Sequence, residues 1–173
     1  MFKQPAVGKP VIFLVLLMAV MFIAGQADAQ TKISGKMTMA YTIMDTIAVG
    51  DTDGHNMALG ESKGTNTSTG AEALMDGAES INLSYADLTK GSGPHQGYVT
   101  LKKGDNMTVA KWKGEVKTTM TAEGAPKTAF NGTFEYIKGA GKFKGIKGAG
   151  TYEGYFTSKT EYVAEWKGEY SLK

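Results

Sequence analysis

Cysteine and arginine are both missing from the 173-residue chain, whose 19 basic side chains are all lysine. Without cysteine there is no disulfide, no thiol nucleophile and no thiolate metal site, so the fold must rest on packing and hydrogen bonds. Without arginine there is no planar fork to hold a phosphate or carboxylate at two points. Histidine is scarce: His55 and His95 stand alone, with no further ligands at a metal-binding spacing. The DTDGHN turn, Asp51 to Asn56, has asparagine where a calcium loop needs glycine. No metal and no cofactor is expected. Long helical crossovers are lacking, which removes βαβ architectures. No serine sits in a nucleophile elbow, and most acidic residues fall on the polar parity of their segments, so no glycosidase-like carboxylate pair is legible.

What is present begins with a targeting signal. Lys3 and Lys9 precede the apolar run VIFLVLLMAVMFIA, and Ala27-Asp28-Ala29 fits a small-x-small cleavage site. Residues 1–29 therefore read as a secretory signal peptide, its apolar run short for a bilayer span. Its removal leaves Gln30 to Lys173 as one exported domain, periplasmic or extracellular, with no membrane span. That domain carries 17 basic and 16 acidic side chains, a balance that argues against a nucleic-acid partner.

The mature sequence alternates with period two nearly throughout, and eight strands are expected. Ile33, Met37, Met39, Tyr41 and Ile43 share one parity; Met57, Leu59 and Glu61 share another strand's apolar parity; so do Ile81, Leu83 and Tyr85. GYVTL, Met107–Thr121, Phe130–Tyr136, Gly150–Phe156 and Tyr162–Tyr170 supply the rest. One short helical piece is expected at Ala71–Ala78. The reading is all-β: an eight-stranded antiparallel up-and-down barrel, with a two-sheet sandwich as the alternative. AKWKGE and AEWKGE, 54 positions apart, each place Ala, Trp and Gly on one parity and charges on the other.

The glycine run KGAGKFKGIKGAGTYEGYF, Lys138 to Phe156, resembles a phosphate loop only superficially. Its spacing is G-x-G-x-x-x-G, no helix follows, and no Gly-Lys-Ser or Gly-Lys-Thr is in place. It reads as sheet, with glycines where strands bend or pack against large neighbours. GAGKFKGIKGAGTYEG is similar to the glycine-rich hairpin of the allene oxide cyclase and dirigent proteins. Together with DGHNMALGESKGTN, MDGA, GSGPHQGYVTL and AKWKGE, it resembles small exported bacterial proteins with an allene-oxide-cyclase-like barrel. The resemblance implies an eight-stranded barrel, a tendency to trimers and an interior that takes extended apolar substrates. The cyclase cavity cysteine has no counterpart in this chain.

Three functions are expected to compete. A barrel binding a small apolar or aromatic molecule would use Tyr41, Trp112, Phe134, Tyr152, Trp166 and Tyr170, all on inward parities. An isomerase or cyclase would use Glu61, if it shares the interior with Met57 and Leu59, together with Tyr85 or His95; desolvation would raise the Glu61 pKa and suit it to acid-base work. A structural envelope protein would self-associate as a homo-oligomer.

Overall fold

Alternation of the kind just described lets each strand bury one face, and eight such strands close on themselves. In the computed structural model, which describes residues 30–69 and 73–173, the strands are β1 (Thr31–Ala48), β2 (His55–Thr69), β3 (Ala78–Thr89), β4 (Gly93–Lys103), β5 (Asn106–Met120), β6 (Pro126–Ala140), β7 (Ile146–Phe156) and β8 (Glu161–Leu172). Each pairs antiparallel with the next, and β8 returns to β1, giving a closed barrel in simple chain order. Closure leaves no unpaired edge. The sandwich is excluded. Residues 1–29, read as a signal peptide, lie outside the described residues; no described helix is long and apolar enough to cross a membrane.

Two strands face the other way from the expectation. On β2 the interior takes Gly60, Ser62, Gly64 and Asn66, and Met57, Leu59 and Glu61 point outward. On β3 it takes Ala78, Ser80 and Asn82, leaving Ile81, Leu83 and Tyr85 outside. A bulge between Tyr41 and Ile43 also flips β1, so Ile43 is exposed while Met44 and Thr46 turn inward. Hydrophobicity misjudged β2 and β3 because their inner residues must be small. The rings of β5–β8 fill the barrel from the opposite side.

Two rows show this with the same geometry. Trp112 on β5 pairs with Gly97 on β4, which pairs with Ser84 on β3, and the indole Nε1–H donates to Asn82 Oδ1 at 2.8 Å. Trp166 on β8 pairs with Gly35 on β1, which pairs with Ser68 on β2, and its Nε1–H donates to Asn66 Oδ1 at 2.9 Å. In both rows the asparagine stands two residues before the serine. A Cβ on Gly97 or Gly35 would fall 2.6 or 2.4 Å from the indole ring, so these glycines are saddles for the rings.

One end of the barrel is closed. Over residues 73–78, the described part of the expected helix at Ala71–Ala78, there is instead a turn at 74–77 followed by the start of β3, and Leu74 and Met75 are buried as a plug with Phe143, Ile146, Ile33 and Tyr136. Asn66 Nδ2 donates to the carbonyls of Leu74 (3.2 Å) and Met75 (2.9 Å), fixing the plug to the wall. Tyr170 packs beside this plug, 6.3 Å from the Phe143 ring. The glycine run is sheet and turn: the end of β6, a short 3₁₀ turn over Gly141–Phe143, and β7, with Lys142, Lys144 and Lys147 exposed.

Asn66→Ala removes acceptor and donor together: it strands the buried Trp166 indole N–H and takes one hydrogen bond from each of the Leu74 and Met75 carbonyls, which keep the Ser68 hydroxyl and the Ala78 N–H. We expect a loss of roughly 3 kcal/mol in urea unfolding, since one orphaned buried donor costs about 1–3 kcal/mol and each further hydrogen bond lost about 1 kcal/mol. An effect below about 0.5 kcal/mol would show that Asn66 does not hold the plug.

Candidate functional site

Because only one end is plugged, the interior above Trp166 and Tyr136 stays open. A cavity of about 690 Å³ runs from this floor to the rim formed by the turns after β1, β3, β5 and β7. Its lining is unequal on two sides. β5–β8 contribute Trp112, Phe130, Phe134, Tyr152, Phe156, Tyr162 and Trp166, while β2 and β3 contribute Ala58, Gly60, Asn82, Ser84 and Ala86. Met37, Met39, Tyr41 and Met44 of β1 complete an apolar wall. Most of these rings pack edge-to-face or tilted, as Phe130 does with Phe156 (5.9 Å) and Tyr162 (5.6 Å), while Tyr41 stacks on Phe156 at 6.3 Å.

Of the residues expected to bind a ligand, Tyr41, Trp112, Phe134, Tyr152 and Trp166 line this space; Tyr170 does not, lying at the closed end. His95 lines it too, but Glu61 and Tyr85 do not. Glu61 sits on the outer face, accepts from the Thr42 hydroxyl at 2.8 Å and pairs with Lys63 at 3.3 Å. These contacts hold its carboxyl below the ordinary value, the opposite of the expected rise. Tyr85 borders a shallow outer groove with Asp87, Pro94, Gln96 and Lys113. No carboxylate lines the cavity among the described residues, so an acid-base role for a cavity carboxylate has no carrier there.

The polar groups of the interior are nearly all spent on one another. Asn82 Nδ2 donates to the Tyr162 hydroxyl at 3.0 Å, and Ser62 Oγ lies 2.6 Å from the same oxygen. Burial pushes the Tyr162 phenol up to about 12 and raises Tyr41 and Tyr152 as well, so all three stay protonated. His95 is enclosed by Trp112 at 4.8 Å and Phe130 at 5.8 Å. Its Nε2 lies 3.0 Å from the Tyr152 hydroxyl, and the ring also bonds the Asn131 backbone. Burial holds its pKa down to about 4, so at neutral pH the ring is uncharged. Neither sequence alternation nor any motif pointed to Asn66, Asn82 or Ser62; a serine two places after each asparagine is the faint signal, legible only once the tryptophan rows are known.

His55 has a different environment. It lies near the rim with Nδ1 2.5 Å from Asp51 and Nε2 2.6 Å from Asp87, and these bonds, Asp87 first, raise its pKa. Each nitrogen faces a different carboxylate, so the three groups satisfy one another and tie the β1–β2 turn to β3.

No protein-family model matches the chain, and no curated protein matches it. A solved structure of a pterocarpan synthase dirigent protein matches over 99% of this chain and 100% of its own, at 11% identity and a TM-score of 0.45. The strand order, rather than this likeness, carries the description of the fold.

The two histidines should separate in an NMR titration, His95 near pH 4 and His55 above its ordinary 6.5. Their effects on stability have opposite signs. Between pH 6.5 and 4 the unfolded chain protonates His95 and the folded one does not, so the His95 contribution falls on acidification through that window. The His55 contribution is complete below 6.5 and is lost as pH rises through its raised folded value. His95→Gln should flatten the acid slope between pH 6.5 and 4 in chemical unfolding; an unchanged slope would refute the assignment.

Proposed function

We propose that the barrel is a binding protein for a small, elongated, mostly apolar molecule that enters through the open end. The observation that carries this reading is the 690 Å³ cavity walled by aromatic and methionine side chains above a sealed floor. That volume lies within the range of sites for small organic ligands. β6 runs about nine residues from Lys127 at the rim to Tyr136 at the floor, which at roughly 3.3 Å per residue and a tilt of about 40° gives a depth of some 20–25 Å. A space that deep and that small takes a chain or a single narrow ring system rather than a globular molecule. Removing apolar surface from water at about 25 cal/mol per Å² supplies the affinity. Export across a membrane, read from the N-terminus, belongs to the same proposal.

A neutral fluorescent probe such as phenylnaphthylamine tests this. The protein should bind it with enhanced emission. Ala86→Trp, which places an indole in the upper cavity, should weaken binding by about tenfold or more, the order of one lost buried contact surface, with little change in melting temperature. A protein that binds no apolar probe contradicts the proposal.

A second reading, self-association, rests on the outer face. Ile43 (53% exposed), Ile47 (72%), Leu59 (62%), Leu83 (52%) and Tyr98 (46%) stand on neighbouring strands β1–β4. A patch of this kind on a soluble barrel is suited to burial against another copy. Sedimentation should show an oligomer that Leu59→Lys with Leu83→Lys converts to monomer; a monomer at every concentration removes this reading.

A further inference from the structure

Among the side chains lining the cavity, the full charges are those of two lysines: Lys127 at the start of β6 and Lys159 in the β7–β8 turn. Both are exposed at the rim, and neither is in an ion pair among the described residues. No acid of the rim region lines the cavity or pairs with either lysine among the described residues. Asp51 is held by His55, and Asp53, Glu123 and Glu161 are exposed and contribute nothing to the lining. Beside Lys159, Ser158 Oγ accepts from the backbone N–H groups of Thr160 (3.2 Å) and Glu161 (3.0 Å), which leaves its own hydrogen free to donate. The β6 and β7–β8 side of the mouth thus carries two lysines and a serine hydroxyl above an apolar shaft.

Depth offers a charged group no such company. Asn66 and Asn82 are committed to the indoles, and His95 is neutral. A carboxylate carried to the floor would lose its hydration with nothing to replace it. A cation at the mouth would meet two like charges.

We propose that the ligand is an amphipathic anion, its apolar body inserted toward Trp166 and its anionic head left at the mouth beside Lys127 and Lys159. This deepens the preceding proposal and rests on its apolar cavity. The lysines are solvated, so their contribution is moderate and screened by salt. Their main effect is to choose among ligands of equal apolar area.

Displacement of bound phenylnaphthylamine by dodecanoate, dodecanol and dodecylamine, at low salt and mildly alkaline pH, separates body from head. Dodecanoate should compete about tenfold more tightly than dodecanol, with dodecylamine weakest, and the spread should shrink as salt is added. Lys127→Glu with Lys159→Glu should reverse the order of acid and amine while leaving dodecanol and the melting temperature unchanged. Equal competition by acid and alcohol, or a preference unmoved by the double substitution, overturns the anion proposal and leaves the apolar cavity standing. Failure of the neutral probe to bind at all overturns the cavity reading itself. If instead the double variant loses binding to phosphatidylglycerol vesicles and keeps its preference for dodecanoate over dodecanol, the lysines serve a membrane surface and the proposal falls.

Discussion

Two indole rings must each reach over a neighbouring strand to an asparagine two strands away, and much of the interior follows from that requirement. Trp112 and Trp166 each pass over a glycine of the adjacent strand to an asparagine one strand further on. An indole N–H buried without a partner would cost about 1–3 kcal/mol, so the asparagines are obligatory once the rings are inside. The asparagine amides then have donors left over. Asn66 uses its pair to hold the Leu74–Met75 turn over one end, and Asn82 uses one on Tyr162. The same side chains therefore satisfy the aromatic wall and set the barrel's closed and open ends.

The cavity is a consequence of asymmetry between walls. Where β5–β8 carry rings and β2–β3 carry glycine, alanine and serine, the rings fill the lower barrel against the plug but leave the upper part unfilled. The space is apolar because its polar atoms are already paired, and neutral because its one histidine is desolvated. Recognition of anything beyond shape is left to the rim, where water weakens each charge but does not remove it.

The existence of all eight strands could be read from alternation, as could the inward direction of β5–β8, where the rings mark the inner face. What alternation does not reveal is which side of a strand is inside. On β2 and β3 the apolar residues Met57, Leu59, Ile81 and Leu83 are on the outer surface, because the inner positions had to be small enough to lie under rings from elsewhere. Glu61 and Tyr85 were carried outward with them, and the bulge after Tyr41 did the same to Ile43. Tyr170 has the expected parity and the wrong depth, since a position along a strand says nothing of where the plug lies. His95, by contrast, was named as a site residue and does line the cavity, on the inner parity of β4 with Gly93 and Gly97; the misses are the others. These misses share one cause: they depend on partners far away in sequence, and a local pattern holds no record of them.

The central claim is that the barrel is sealed below and empty above, with an apolar interior that a ligand can enter. Xenon pressurisation of a crystal tests it directly, because xenon enters empty apolar space and is located by its anomalous scattering. The account predicts strong xenon sites inside the barrel among Met39, Phe130, Phe156 and Tyr162, and none beyond Trp166 in the plugged end. A barrel that takes up no xenon, its interior filled by its own side chains, would contradict it.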